Sequence, residues 1–329
     1  MHLAFPLLTS LCVFTHMVLG NTELEEFKKF IKQFNKVYKN EEEYQYRLSV
    51  FTTNLNVARR LQEEELGTAT YGITKFSDLT DEEFTRNCLT LIDDVTPNNV
   101  KQLKVEAAPV SKSCDWRKAG VISEAKSQGK CGSCWAFAVV GNIEAQWGII
   151  GHSVNLSVQQ LVDCGPSKNG CKGGKITAAY KSIIEQKGLV SEKVYPYKAV
   201  AQKCKRINSV KTTIKKYISL PKNEQAMANF VKINGTIVVR LNATGLKPYL
   251  GGVIHPKSCD VKKLNHAVLA VGYSKDTKVP YWIIKNSWGK NWGESGFFRL
   301  YYGKNICGVA ESPTSAVVTK TGKKKYCPS

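Results

Sequence analysis

Gln128-Gly129-Lys130-Cys131-Gly132-Ser133-Cys134-Trp135-Ala136-Phe137 is the stretch on which the reading of this 329-residue chain turns. It puts Cys134 at the head of a run, Trp135 to Trp147, in which Ala136, Phe137, Val140, Ile143 and Trp147 recur at the spacing of a largely buried helix. A thiol with a pKa of about 8.5 is mostly protonated at neutral or acidic pH, so a nucleophilic cysteine needs a helix N-terminus, a cationic histidine or both. Cys134 would sit at the positive end of this helix. Cys131 and Cys134 also make a Cys-x-x-Cys, a spacing shared with redox centres and half zinc sites. Residues far downstream separate these chemistries.

A general base must come from His152, His255 or His266 once the two histidines near the N-terminus are set aside. His266 opens Asn265-His266-Ala267-Val268-Leu269-Ala270-Val271-Gly272, a pattern that reads as the start of a strand, where a rigid element can hold an imidazole against a thiol. His152 follows a glycine and His255 precedes a proline, so each reads as a solvated loop residue. Further on, Lys285-Asn286-Ser287-Trp288-Gly289-Lys290-Asn291-Trp292-Gly293 supplies an amide between strand and tryptophans.

In this order the three segments resemble those of papain-type cysteine peptidases, whose signature lies around the nucleophilic cysteine with a histidine and an asparagine downstream. The resemblance implies an α+β, papain-like two-lobed fold: a helical left lobe, a β-barrel-like right lobe and a cleft between them. It implies Cys134 as nucleophile, His266 as base, Asn286 accepting from the imidazole N–H, and Gln128 donating to the oxyanion beside the backbone N–H of Cys134. The resting pair would be thiolate and imidazolium. Gly132, Gly173, Gly174 and Trp288 would line the substrate path. The pocket for the second residue before the cut would be walled by Ile176, Arg240, Ala267 and Ser312. Arg240 departs from the small apolar residue usual there, and is expected to narrow the pocket or to favour an acidic or polar side chain, unless it swings out to solvent.

Upstream, Leu24, Phe27, Phe30, Ile31 and Phe34 recur at helical spacing, and Glu43, Arg47, Phe51, Asn54, Ala58 and Gln62 follow at intervals of three and four. With Tyr71-Gly72-Ile73-Thr74-Lys75-Phe76-Ser77-Asp78 they resemble the two motifs of the family's helical inhibitory propeptide. Ala58 and Gln62, Ser113-Cys114-Asp115-Trp116-Arg117-Lys118, Gly141-Asn142-Ile143-Glu144 and the ending Tyr326-Cys327-Pro328-Ser329 are similar to the branch containing cathepsins F and W, nearer the W side. The short Tyr273 to Tyr281 loop, in place of a long insertion, is a departure.

The expected organisation is a signal peptide over 1–20, a propeptide over 21–107 and a peptidase domain over 108–329 with a short basic tail. Residues 1–20 are mostly apolar, too short for a membrane span, and precede a plausible cut. Eleven cysteines in a secreted chain suggest disulfides. Cys12 and Cys88 lie outside the mature part, and the resemblance implies Cys131 with Cys171, Cys164 with Cys204 and Cys259 with Cys307. Cys114 and Cys327, near the two ends of the mature part, are expected to pair and tie down the tail. Sequons at Asn155, Asn234 and Asn242 are candidate glycosylation sites.

Lysine and arginine total 47 against 27 acidic residues, a net charge of +20. From residue 108 onward there are 35 basic and 11 acidic residues, against 12 and 16 before it. An acidic prosegment thus faces a basic enzyme, an attraction that mild acid would weaken. The expected partners are peptide and protein substrates, the chain's own propeptide, cystatin-type inhibitors and anionic polysaccharides; no metal or cofactor is implied, and a monomer is expected. Localisation is expected along the secretory pathway, in lysosome or endosome, outside the cell, or in the endoplasmic reticulum. A second reading keeps the peptidase residues but makes the chain chiefly a basic binding protein, resting on Arg240 and the charge.

Overall fold

The computed structural model describes residues 22–89, 111–167, 169–319 and 322–329. The expected signal peptide, Cys12 and the boundary at 107/108 lie outside the described residues.

Three helices open the chain: α1 over residues 22–34, α2 over Glu41–Glu63 and α3 over Asp81–Cys88, with the short strand β1 (Thr70–Tyr71) between the last two. α2 begins where Asn40 accepts from the Glu43 amide, and three glutamates in its first turn suit the positive helix end. α3 is fixed by a capping box between Thr80 and Glu83. The apolar stripe read from the sequence closes a small core of Phe27, Phe30, Phe51 and Leu55. Arg47 spans the prosegment, with Nη1 and Nη2 on the Glu83 carboxylate at 2.6 and 2.9 Å.

Beyond residue 110 come β2 (Ser113–Asp115), α4 (Cys134–Ile149), α5 (Val158–Cys164), α6 (Ile176–Glu185), β3 (Lys216–Ser219) and α7 (Glu224–Asn234). Strands then dominate: β4 (Ile237–Leu241), β5 (Tyr249–Gly251), β6 (Val253–Ile254), β7 (His266–Ser274), β8 (Tyr281–Lys285), β9 (Phe297–Tyr301) and β10 (Thr314–Val317). The helical-then-β segregation expected from the sequence is what forms. The main sheet runs β3-β10-β4-β7-β8-β9-β6, with β2 on β7.

Its two sides belong to two cores. One gathers Trp116, Tyr249, Trp282, Trp288, Trp292 and Phe298. The other joins the helices to the sheet through Trp135, Ile143, Leu161, Ile183, Val238 and Leu269. The four expected disulfides all form, Cys114–Cys327, Cys131–Cys171, Cys164–Cys204 and Cys259–Cys307. Because Cys131 is bound to Cys171, Cys131 and Cys134 cannot act as a redox couple.

The prosegment seals the enzyme by strand addition and by one buried cation. β1 pairs antiparallel with β5. Lys247, its side chain 5% exposed, points into the prosegment, donating to Asn54 Oδ1 at 2.5 Å, Asp81 Oδ1 at 2.6 Å and the Leu79 carbonyl at 3.3 Å. Among the described residues Lys247–Asp81 is the ion pair that crosses the seam. No described helix is long and apolar enough to cross a membrane.

Candidate active site

Cys134 is the first residue of α4, and the loop before it is tied at several points. Gly132 N–H donates to the Cys171 carbonyl at 2.8 Å next to the Cys131–Cys171 bond, and Ser133 Oγ lies 2.6 Å from the Tyr197 hydroxyl. Tyr197 in turn donates to the Gln128 carbonyl at 2.9 Å. The N–H groups of Ala267, Trp135 and Cys134 itself favour a thiolate at this spot.

His266 starts β7 and Asn286 follows β8 directly, so adjacent antiparallel strands carry the two groups side by side. Asn286 Oδ1 lies 2.7 Å from His266 Nε2 and also accepts from the Ser287 amide at 2.8 Å, which fixes the carboxamide with its oxygen toward the ring. Trp288 stacks on the imidazole at 4.9 Å, and Trp292 meets Trp288 edge-on at 4.6 Å. His266 is fully buried.

Gln128 is held by the same segment. Its Oε1 accepts from Ser287 Oγ at 2.7 Å, so Nε2 must point the other way, toward the Cys131 carbonyl at 2.9 Å and the prosegment's Asn87 carbonyl at 3.2 Å. The next carbonyl along, that of Cys88, sits at the Nδ1 edge of His266, favouring its protonated form although Nδ1 has no well-formed hydrogen bond. The prosegment backbone therefore sets two consecutive carbonyls against Gln128 and His266.

Closure changes the electrostatics. Burial pushes the Cys134 thiol up to about 11, against the pull of the surrounding N–H groups. Burial likewise pushes His266 down to about 4, opposed by its bonds to Asn286 and the Cys88 carbonyl. The thiolate–imidazolium pair expected of the resting enzyme is thus not the state of the closed zymogen, where thiol and imidazole are both neutral.

Sequence reading and structure agree on which residues meet. Ile176 and Ala267 pack in one core with Cys134. Arg240 is the cross-strand partner of Ala267, so the two side chains share a face, and its Nε donates to Ser312 Oγ at 2.5 Å. Arg240 is 6% exposed, which removes the alternative that it swings out to solvent. A Cβ on Gly174 would stand 2.5 Å from the Trp135 ring and Gly173 has φ +101°, so both positions require glycine. One correction arises. His255 is no free loop residue: its ring stacks on Tyr301 at 4.0 Å and its amide donates to Glu65 of the prosegment. Tyr197, Lys247 and the Asn87-Cys88 pair had no signal in local pattern; Ser287 did, lying inside the Asn286 segment.

A thiol at a helix N-terminus, an amide-oriented imidazole and a preset carbonyl donor, closed by a helical prosegment, are the parts of a cysteine protease zymogen. The chain belongs to the papain family of cysteine proteases, which matches residues 110–317, and the cathepsin propeptide inhibitor domain matches residues 27–84. It is 42% identical to cathepsin W of Mus musculus over 92% of this chain and 89% of that protein. It is 41% identical to cathepsin F of Mus musculus, over 89% of this chain and 64% of that one. The similarity to the cathepsin F and W branch read from the sequence therefore holds. Among solved structures, digestive procathepsin L2 proteinase of Tenebrio molitor superposes with a TM-score of 0.84 at 32% identity, covering 90% of this chain and all of that one (100%). A stem bromelain precursor does so at 0.82 and 33%, over 90% and 99% of the two chains.

If Gln128 is the oxyanion donor, Gln128→Ala lowers kcat of the matured protein by about a hundredfold with KM little changed. Steady-state kinetics on a fluorogenic peptide checks this.

Proposed function

We propose that the matured chain is an endopeptidase in which Cys134 Sγ attacks the scissile carbonyl and forms an acyl-enzyme. The Gln128 Nε2 and the Cys134 backbone N–H take the developing oxyanion. His266 hands its proton to the leaving amine and then draws one from the water that hydrolyses the acyl-enzyme, while Asn286 keeps the ring aimed. The observation that carries this reading is the Asn87 carbonyl held 3.2 Å from Gln128 Nε2: the donor is already preset for a peptide carbonyl. Acid-triggered processing followed by titration with a thiolate-alkylating epoxide tests it. Stoichiometric labelling together with peptide cleavage supports the proposal, and a processed protein that neither labels nor cleaves overturns it.

The working place that suits such an enzyme is the lysosome, the endosome or the exterior, reached through the secretory pathway after loss of residues 1–20 and release of the prosegment near residue 107. Asn155 and Asn234 are exposed and suit glycosylation, whereas Asn242 is half-buried and already bonded to Thr244 and the Asp260 carbonyl.

For specificity, Ile176, Ala267 and Ser312 form the pocket with Arg240, whose buried guanidinium favours an acidic side chain two residues before the cut. A charge-assisted hydrogen bond of about 1.5 kcal/mol corresponds to about tenfold in kcat/KM. A positional peptide library should show Asp or Glu preferred there by that factor, and Arg240→Ala should turn the preference to Leu or Phe. A wild-type profile dominated by bulky apolar residues would refute the assignment. No observation in the structure favours a purely binding role.

A further inference from the structure

Ten cysteines fall among the described residues, and eight are taken up in the four disulfides. The two left free are Cys134 and Cys88 of the prosegment, 0% and 2% exposed. We propose that Cys88 and Cys134 form a disulfide in the oxidised zymogen, a covalent latch that ties the end of the prosegment to the nucleophile. The proposal rests on the reading of Cys134 as the catalytic thiol.

Position is the first support. Cys88 ends α3, one turn after Phe84, whose ring meets Trp288 edge-on at 5.2 Å. Trp288 is the ring that stacks on His266. Asn87 O accepts from Gln128 Nε2 at 3.2 Å, and Cys88 O lies at the edge of the His266 ring. The Cys134 sulfur takes the N–H of Ala267, the residue next to His266, so residues 87–88 pass beside the thiol. Lys75 adds a charge beside it, its Nζ held by the Trp288 carbonyl at 2.6 Å. The Cys88 and Cys134 sulfurs interact electrostatically, and the Lys75 ammonium favours the Cys88 thiolate.

The chemistry is thiol–disulfide exchange with a low-molecular-weight disulfide such as oxidised glutathione. One thiolate, Cys134 in the written order, attacks a glutathione sulfur, forms a mixed disulfide and releases one glutathione thiolate, which takes a proton. The Cys88 thiolate then attacks the Cys134 sulfur, forms the internal bond and releases the second glutathione thiolate, protonated in turn. Two protein thiols are oxidised and one glutathione disulfide is reduced to two thiols. In the closed cleft burial keeps both thiols protonated, Cys88 pushed up to about 12 and Cys134 to about 11. The bond therefore forms while the end of α3 is lifted, as in a folding chain that is already making four disulfides in an oxidising compartment. Once the cleft closes, the same burial shields it. Cutting between residues 89 and 111 would then leave the prosegment attached and the nucleophile blocked until a reductant arrives.

The test uses the full zymogen, refolded at pH 8 in glutathione mixtures of stepped redox ratio so that α3 docks in the presence of the disulfide, quenched in acid, unfolded in denaturant, alkylated with N-ethylmaleimide and digested without reduction. The expected result is a Cys88–Cys134 cross-linked peptide beside the four structural pairs, its fraction rising with oxidised glutathione. On a non-reducing gel at acid pH the cleaved prosegment should stay attached until dithiothreitol is added, while Cys88→Ser releases it without reductant. Recovery of both cysteines as maleimide adducts at every ratio overturns the proposal; so does Cys134 found only as a glutathione adduct with Cys88 free. The readout is a mass, independent of turnover. An unlinked zymogen that yields active enzyme defeats the latch alone, and a linked one whose reduced form never labels with epoxide defeats the catalytic reading.

Discussion

Cys134→Ala, with its prosegment cut away by an added protease, is expected to cleave peptide about 10⁴-fold more slowly than the wild type, or slower still. In the proposed mechanism the sulfur carries the acyl group, so its loss removes the covalent route rather than weakening a contact. Gln128 and the backbone N–H of residue 134 remain, which leaves the modest acceleration that positioning and carbonyl polarisation give. His266→Ala should cost nearly as much, because a neutral thiol without its base is a poor nucleophile. The double variant should be little worse than either single one, since the two groups act as a unit. Steady-state kinetics on the three proteins checks both magnitude and non-additivity. Losses that simply multiply would mean that thiol and imidazole do not work together.

What could be read ahead of the structure follows from where the information lies. The α4 helix, the β7 and β8 strands and the segment around Asn286 each carry their reason within a few residues, as apolar periodicity or a matching local motif, and they formed with bounds close to those expected. The disulfide partners came from family resemblance, since cysteine spacing fixes no connectivity. The contacts that close the zymogen are of another kind. Lys247 meets Asn54 across 193 positions, and Gln128 meets Asn87 across 41. Nothing local marks Lys247 or Asn87, because each is an ordinary turn or helix residue until the two folded parts dock. Gly174 shows the same limit, its need for a missing Cβ being set by a tryptophan that precedes it by 39 residues in the chain.

The docked prosegment does more than obstruct. By filling the site with its own carbonyls it excludes water from the very pair that needs charge, so the nucleophile is kept as a thiol and the base as a neutral ring. Inhibition is thereby both steric and electrostatic. The two halves release together, since rehydration that frees the cleft also lets the ion pair form.

With Cys134 replaced by Ala, acid should weaken closure through His266 itself. Its pKa is lowered from 6.5 to about 4 in the closed state, so between those values the open state binds the extra proton and the closed state does not. Closure has the full benefit of a neutral His266 above about 6.5, loses it progressively as pH falls to about 4, and loses nothing further below. A shift of this size is worth about 3 kcal/mol, or roughly 300-fold in the closed-to-open ratio. In the wild type the open cleft's thiolate–imidazolium pair holds one proton, as the closed thiol and neutral imidazole do together, so this acid limb belongs to the variant without the thiol. The measurement is the affinity of the isolated prosegment for matured Cys134→Ala protein, by calorimetry from pH 8 to pH 4. That background removes the thiol's own titration. Kd should rise by about two orders of magnitude or more across the acid limb, and His266→Gln, which keeps a neutral polar ring-sized group, should flatten it by the His266 share. An acid limb unchanged by His266→Gln would assign the trigger to groups other than His266.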